Sequence, residues 1–178
     1  NPARLVIAIL LAGTLHVGST AAQSCGEGPP GVVSWWPADG DASDLVDGNA
    51  GQLVGGASFD TGFVGPGFLI RGGAQHVDVG NAPNLHVSHG DFSIDVWVRF
   101  NSLSSPWMND MSLVDKMAGV NADGWRLLKQ SDGRFWFCFG GGSNHCGTPS
   151  HTIFSKRRAE VGVWYHLAVV KTAESLSL

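Results

Sequence analysis

Residues 92–100 read Phe92-Ser93-Ile94-Asp95-Val96-Trp97-Val98-Arg99-Phe100. Phe92, Ile94, Val96, Val98 and Phe100 share one parity and Ser93, Asp95, Trp97 and Arg99 the other, a period of two that belongs to a strand and not to a helix. One face is expected to meet a core and the other solvent or a groove. The length of the stretch and its β-branched and aromatic content predict a mid-sheet strand with partners on both sides. Trp97, with charged Asp95 and Arg99 on the same parity, is then a candidate ligand contact.

Working outward, the same grammar repeats along the chain. Its 178 residues suffice for one domain with a core, and 25 glycines with only 15% charged residues favour short strands joined by tight turns. Strands are expected at residues 32–36, 52–54, 68–71, 76–79, 113–117, 125–130, 134–139, 151–156 and 164–171, at the spacing of a sandwich or barrel. Gly72-Gly73 reads as a hairpin turn, and Ser131-Asp132-Gly133 as another. No 3.6-residue period occurs beyond the first residues. A net charge of −4 suggests neither a nucleic-acid surface nor an anionic-membrane patch.

Residues 1–22 read as a removable export signal: Arg4 in the n-region, an apolar run over residues 5–12, and small residues Thr20-Ala21-Ala22 before the cleavage point. The run is short for a bilayer-spanning anchor. Residues 23–31 form a linker with Pro29-Pro30, and residues 32–178 form the domain. Export to the cell surface, periplasm or medium makes disulfides permissible. Cys138 and Cys146 close a glycine-rich loop and are expected to pair, which leaves Cys25 without a partner. A metal held by Cys138, His145 and Cys146 lacks the second close pair that would complete four ligands.

Residues 33–44 (Val-Ser-Trp-Trp-Pro-Ala-Asp-Gly-Asp-Ala-Ser-Asp), 92–98 (Phe-Ser-Ile-Asp-Val-Trp-Val) and 162–170 (Gly-Val-Trp-Tyr-His-Leu-Ala-Val-Val) resemble, in motif, order and spacing, the laminin-G-like domains of the concanavalin A-like lectin/glucanase superfamily. The resemblance covers residues 32–178 and implies an all-β fold, a two-sheet antiparallel jelly-roll sandwich. Such domains are appended to adhesins, glycosidases and peptidases alike, so function has to be argued from sites. They also normally continue with closing strands, one bearing an Asp-Glu pair. The expectation is therefore a domain cut inside a strand begun at residues 174–178. Exposed Val169 and Leu176 and unpaired edges would then leave residues 23–178 molten or aggregation-prone.

Glycosidases of this superfamily commonly carry Glu-x-Asp-x-x-Glu along one strand, because two carboxyl groups must flank the glycosidic bond. Here Glu27, Glu160 and Glu174 are the only glutamates, none in strand 92–100, and no Gly-x-Ser-x-Gly marks a nucleophile. Catalysis is not expected. Asp39, Asp41, Asp44, Asp47 and Asn49 crowd oxygen-bearing side chains into one loop, and two readings stand. They could hold Ca²⁺, which wants six to eight oxygens and which the resemblance places near here, or they could cap their own backbone as a solvated turn.

Seven tryptophans supply flat faces of the kind that stack on sugars. Trp35 or Trp36, Trp125, Trp136 and Trp164 are expected in the core, His166 as a satisfied strand residue, and Trp97 and Trp107 as ligand contacts. These features add up to a non-catalytic exported binding module for carbohydrate or an extracellular glycoprotein. A structural or adhesive spacer, or an accessory domain to an enzyme carried elsewhere, is the alternative.

Overall fold

A computed structural model describes residues 30–86, 90–104, 110–117, 124–140, 146 and 149–178. Eleven strands and two 3-10 turns account for their regular structure. The strands are β1 (Gln52–Val54), β2 (Ser58–Thr61), β3 (Pro66–Leu69), β4 (His76–Asp78), β5 (Phe92–Arg99), β6 (Met111–Asp115), β7 (Gly124–Lys129), β8 (Arg134–Gly140), β9 (Thr152–Arg158), β10 (Trp164–Lys171) and β11 (Leu176–Ser177). Every strand pair is antiparallel: β1 with β4, β2 with β3, the sheet β11-β10-β5, and the meander β6-β7-β8-β9. This is the all-β jelly-roll architecture.

The core lies between the two larger sheets. On β5 the alternation of sequence becomes an alternation of burial, with Phe92, Ile94, Val96 and Val98 packed inward and Ser93, Asp95, Trp97 and Arg99 exposed. Tyr165, Leu167 and Val169 of β10 face the same interior, where they meet Trp125 and Leu127 of β7 and Phe135, Phe137 and Phe139 of β8. Ring pairs cross the layer, Phe135 to Tyr165 at 5.2 Å and Phe92 to Phe137 at 6.1 Å between centroids. Each fully buried side chain such as Leu127 or Phe137 contributes roughly 1.5–3 kcal/mol. The Tyr165 hydroxyl accepts from the Glu160 amide at 2.9 Å and donates to the Arg158 carbonyl at 3.2 Å, so its polar tip costs nothing.

Buried Lys129 is the exception on the inner parity of β7. Its ammonium donates to the Leu103 carbonyl at 2.7 Å. Burial pushes its pKa down, against the pull of Asp110 and Asp132.

Several elements differ from the sequence expectation. The Gly72-Gly73 hairpin does not form, because β3 pairs back onto β2 and β4 onto β1. A closer turn wins: Gly65, at φ +69°, lets the chain reverse with the Gly62 amide on the Gly65 carbonyl, and Phe59 meets Phe68 at 5.5 Å. Residues 32–36 run without a ladder, since Trp35 spends its amide on Asp44 and its carbonyl on the Leu45 amide.

β5 is not central. Among the described residues its one strand partner is β10, which takes the middle of that sheet with β11 beyond it. Its apolar face packs against β8 across the layer, as Phe92 does on Phe137. Finally, Trp136 and Trp164 are not in the core. Their strands bury the other parity, Phe135-Phe137-Phe139 and Tyr165-Leu167-Val169, and a one-residue shift sends a side chain to the opposite face. Trp125 does lie in the core.

Candidate functional site

The register of β5 on β10 pairs Arg99 with Trp164, Trp97 with His166 and Asp95 with Ala168. Side chains of one parity therefore assemble on the outer face of that sheet. His166 stacks beside Trp97 at 4.8 Å between centroids and contacts the Asp95 carboxylate diagonally across the ladder through Nε2. The Arg99 guanidinium lies over the Trp164 ring at 5.0 Å. Sequence singled out Asp95, Trp97 and Arg99; the structure brings them together and adds Trp164 and His166.

It also adds Phe63, which no local signal marked. The β2-β3 turn carries this ring onto the face, stacked on Trp97 at 4.0 Å with planes 9° apart and edge-on to Trp164 at 5.9 Å. Trp97 nevertheless stays 47% and Phe63 53% exposed, which is much for two large apolar side chains in contact. Between hairpin and sheet lies a recess of about 50 Å³ lined in part by Asp60, Thr61, Arg99, Asn101 and Trp164. That volume suits ordered water and is too small to enclose a sugar ring.

The acidic loop resolves into one buried carboxylate and a set of exposed ones. Asp44 Oδ1 accepts the amides of Trp35 (2.8 Å) and Val46 (3.0 Å), and Oδ2 that of Asn49 (3.1 Å). Burial works to raise its pKa. The hydrogen bonds from Trp35, Val46, Ser34 and Asn49 outweigh this and hold it below the usual carboxylate range. Asp41 accepts from the Ser43 amide, Asp47 from the Asn84 side chain, and Asn49 donates to the Ser34 hydroxyl. Asp39 is exposed. Among the described residues no group of three His, Cys, Asp or Glu side chains is placed to hold a metal ion. Asp44, the buried carboxylate of this loop, is thus already engaged by three backbone amides.

Cys138, fully buried on β8, is joined to Cys146 by a disulfide with Cα atoms 5.2 Å apart. Trp107, Cys25 and residues 1–22 lie outside the described residues. No helix among the described residues is long and apolar enough to cross a membrane.

A family model of the laminin-G group, described as the concanavalin A-like lectin/glucanases superfamily, matches residues 71–178. It spans β4 to β11 and hence both large sheets, but not the β2-β3 hairpin or the acidic loop. No curated protein and no solved structure matches the chain.

Proposed function

This chain belongs to the concanavalin A-like lectin/glucanase superfamily, in its laminin-G group, and from that premise we propose a non-catalytic extracellular binding module that holds a carbohydrate or glycoconjugate on the outer face of β5 and β10. The observation that carries this reading is the exposed cluster of Trp97, Trp164 and Phe63 beside Asp95, Arg99 and His166. Flat aromatic faces offer stacking surface to sugar rings, and the charged groups around them can orient hydroxyls. A plain solvated sheet face would carry neither large exposed rings nor a guanidinium layered on one of them. The disulfide fits an oxidising compartment. The chain's three glutamates offer no carboxyl pair along one strand, which supports binding over hydrolysis.

For the loop at residues 39–49 the role we infer is a self-capped turn; calcium is the alternative, and a titration described below separates them. The binding reading is tested by screening the full chain on an array of neutral and charged glycans, then by calorimetry of the best ligand. Trp97→Ala and Arg99→Ala should each weaken it about tenfold, the loss of a stacked ring or one charge-assisted contact. Unchanged affinity in both variants would move the ligand off this face, and an array with no binder would favour a spacer.

A further inference from the structure

The chain carries four Asp-Gly dipeptides, Asp39-Gly40, Asp47-Gly48, Asp123-Gly124 and Asp132-Gly133. In each, glycine leaves the main-chain nitrogen after the aspartate unshielded by a Cβ, so that nitrogen can approach the side-chain carboxyl carbon. The fold treats them differently. Gly133 donates its amide to the Gln130 carbonyl at 2.9 Å, and a Cβ there would meet Arg158 at 3.4 Å. The Asp132 carboxylate accepts from the Arg134 amide and guanidinium, which hold its pKa below the usual carboxylate range. A carboxyl kept ionised is a poor electrophile, because it lacks the hydroxyl that leaves as water. Gly40 donates its amide to the carbonyl of buried Ala38 at 2.8 Å. Asp123 lies outside the described residues.

Asp47-Gly48 has none of these restraints. Both residues are exposed, the Gly48 amide has no acceptor among the described residues, and nothing lies within 4 Å of the place a Cβ would take. The Asp47 carboxyl is held from one side only, where Oδ2 accepts from Asn84 Nδ2 at 2.8 Å. A donor placed there leaves Cγ open and stabilises the oxyanion that forms when a nucleophile adds to it.

We propose that Asp47 is a site of spontaneous isoaspartate formation, and that the folded loop favours the reaction there over Asp39 and Asp132. The Gly48 nitrogen attacks Cγ of the protonated carboxyl. A C–N bond forms and closes a five-membered succinimide, the C–OH bond breaks, and the hydroxyl leaves with the amide proton as one water. Water then opens the imide. Breaking the bond from nitrogen to Cγ restores aspartate, whereas breaking its bond to the Asp47 main-chain carbonyl carbon leaves the chain running through Cβ and Cγ, longer by one methylene. That methylene falls just ahead of Asn49, whose amide bonds Asp44, whose side chain bonds Ser34 and whose carbonyl receives the Trp36 indole N–H. The modification therefore loosens the tie between this loop and residues 34–36. The loop precedes the stretch that the family model matches, residues 71–178, so the site is a property of this chain.

Ageing the full chain at physiological temperature in mildly acidic buffer, native and in urea, tests this, with isoaspartate located by electron-transfer fragmentation of peptides and quantified by isoaspartate methyltransferase. In urea all the Asp-Gly peptides are flexible, and Asp39, Asp47 and Asp132 should react at similar rates. In the native chain isoaspartate should accumulate at Asp47 several-fold faster than at Asp39 or Asp132. Asp47→Glu should remove most of the signal, since the six-membered imide closes slowly, and should leave Asp39 and Asp132 as they were. A native distribution over these sites no different from that in urea would mean that the fold selects nothing, and more isoaspartate at Asp39 or Asp132 than at Asp47 would place the reactive peptide elsewhere; either overturns the proposal. The reaction needs no ligand, so its failure leaves the β5-β10 reading standing.

Discussion

Asp44 engages three backbone amides with one carboxylate, and these bonds tie the unpaired segment at Trp35 to the loop that follows it. Replacing it by alanine strands those donors in a partly buried setting, so Asp44→Ala is expected to cost about 1–3 kcal/mol, seen as a lowered midpoint in urea unfolding. Its pKa is depressed in the folded state, so the carboxylate contributes stability above its unfolded value, near pH 4. That contribution is lost as pH falls through the folded value. Acid titration of stability should therefore show a component below about pH 4 that Asp44→Asn abolishes; an identical acid limb in the variant would show the carboxylate to be irrelevant. Calcium addition should leave the melting temperature unchanged, because a cation would have to take Asp44 from its amides; a rise reversed by chelator would establish the metal reading. Sequence identified the oxygen-rich loop but not which carboxylate is buried, since that depends on where Trp35 passes.

At the level of elements, β8 is fixed from two directions, by its alternating phenylalanines in the core and by the Cys138–Cys146 bridge on its outer face. Closing so short a loop removes limited chain entropy, and changing both cysteines to serine is expected to lower stability by roughly 2.5 kcal/mol, measured against the wild type by thermal unfolding. The β2-β3 hairpin is different in kind. It forms its own two-stranded sheet and meets the β5-β10 face through Phe63. Phe63→Ala should cost about 0.5–1.5 kcal/mol, the worth of an aromatic pair beyond its area, and should shift tryptophan emission as Trp97 loses its neighbour. Unaltered emission would place Phe63 away from Trp97 in solution. The position of this hairpin is ambiguous in the sequence because two glycine-rich turns compete there, and the cross-strand pairing of Phe59 with Phe68 selects one.

Across the whole molecule the two large sheets share one interior, so neither can lose its packing alone. Phe137→Ala should cost about 3–5 kcal/mol, and unfolding followed by circular dichroism and by tryptophan emission should remain coincident; separated transitions would mean that the sheets unfold independently. The sequence by itself determined the strand grammar, because a period of two in Phe92 to Phe100 and in the stretches after it is a local property of backbone geometry. It also determined the disulfide, through one loop and two cysteines, and the outward parity of Asp95, Trp97 and Arg99. Only the tertiary structure decided which parity of β8 and β10 faces inward, so that Trp136 and Trp164 lie outside, and only it brought Phe63 onto Trp97 and set Arg134 against Phe154. Net composition likewise hid the basic edge of β9, since a charge of −4 averages over surfaces that the fold separates. The physical reason is the same in each case: alternation is written between neighbours in the chain, whereas burial and contact depend on which partner strand comes from far along it, and a shift of one residue there exchanges the two faces.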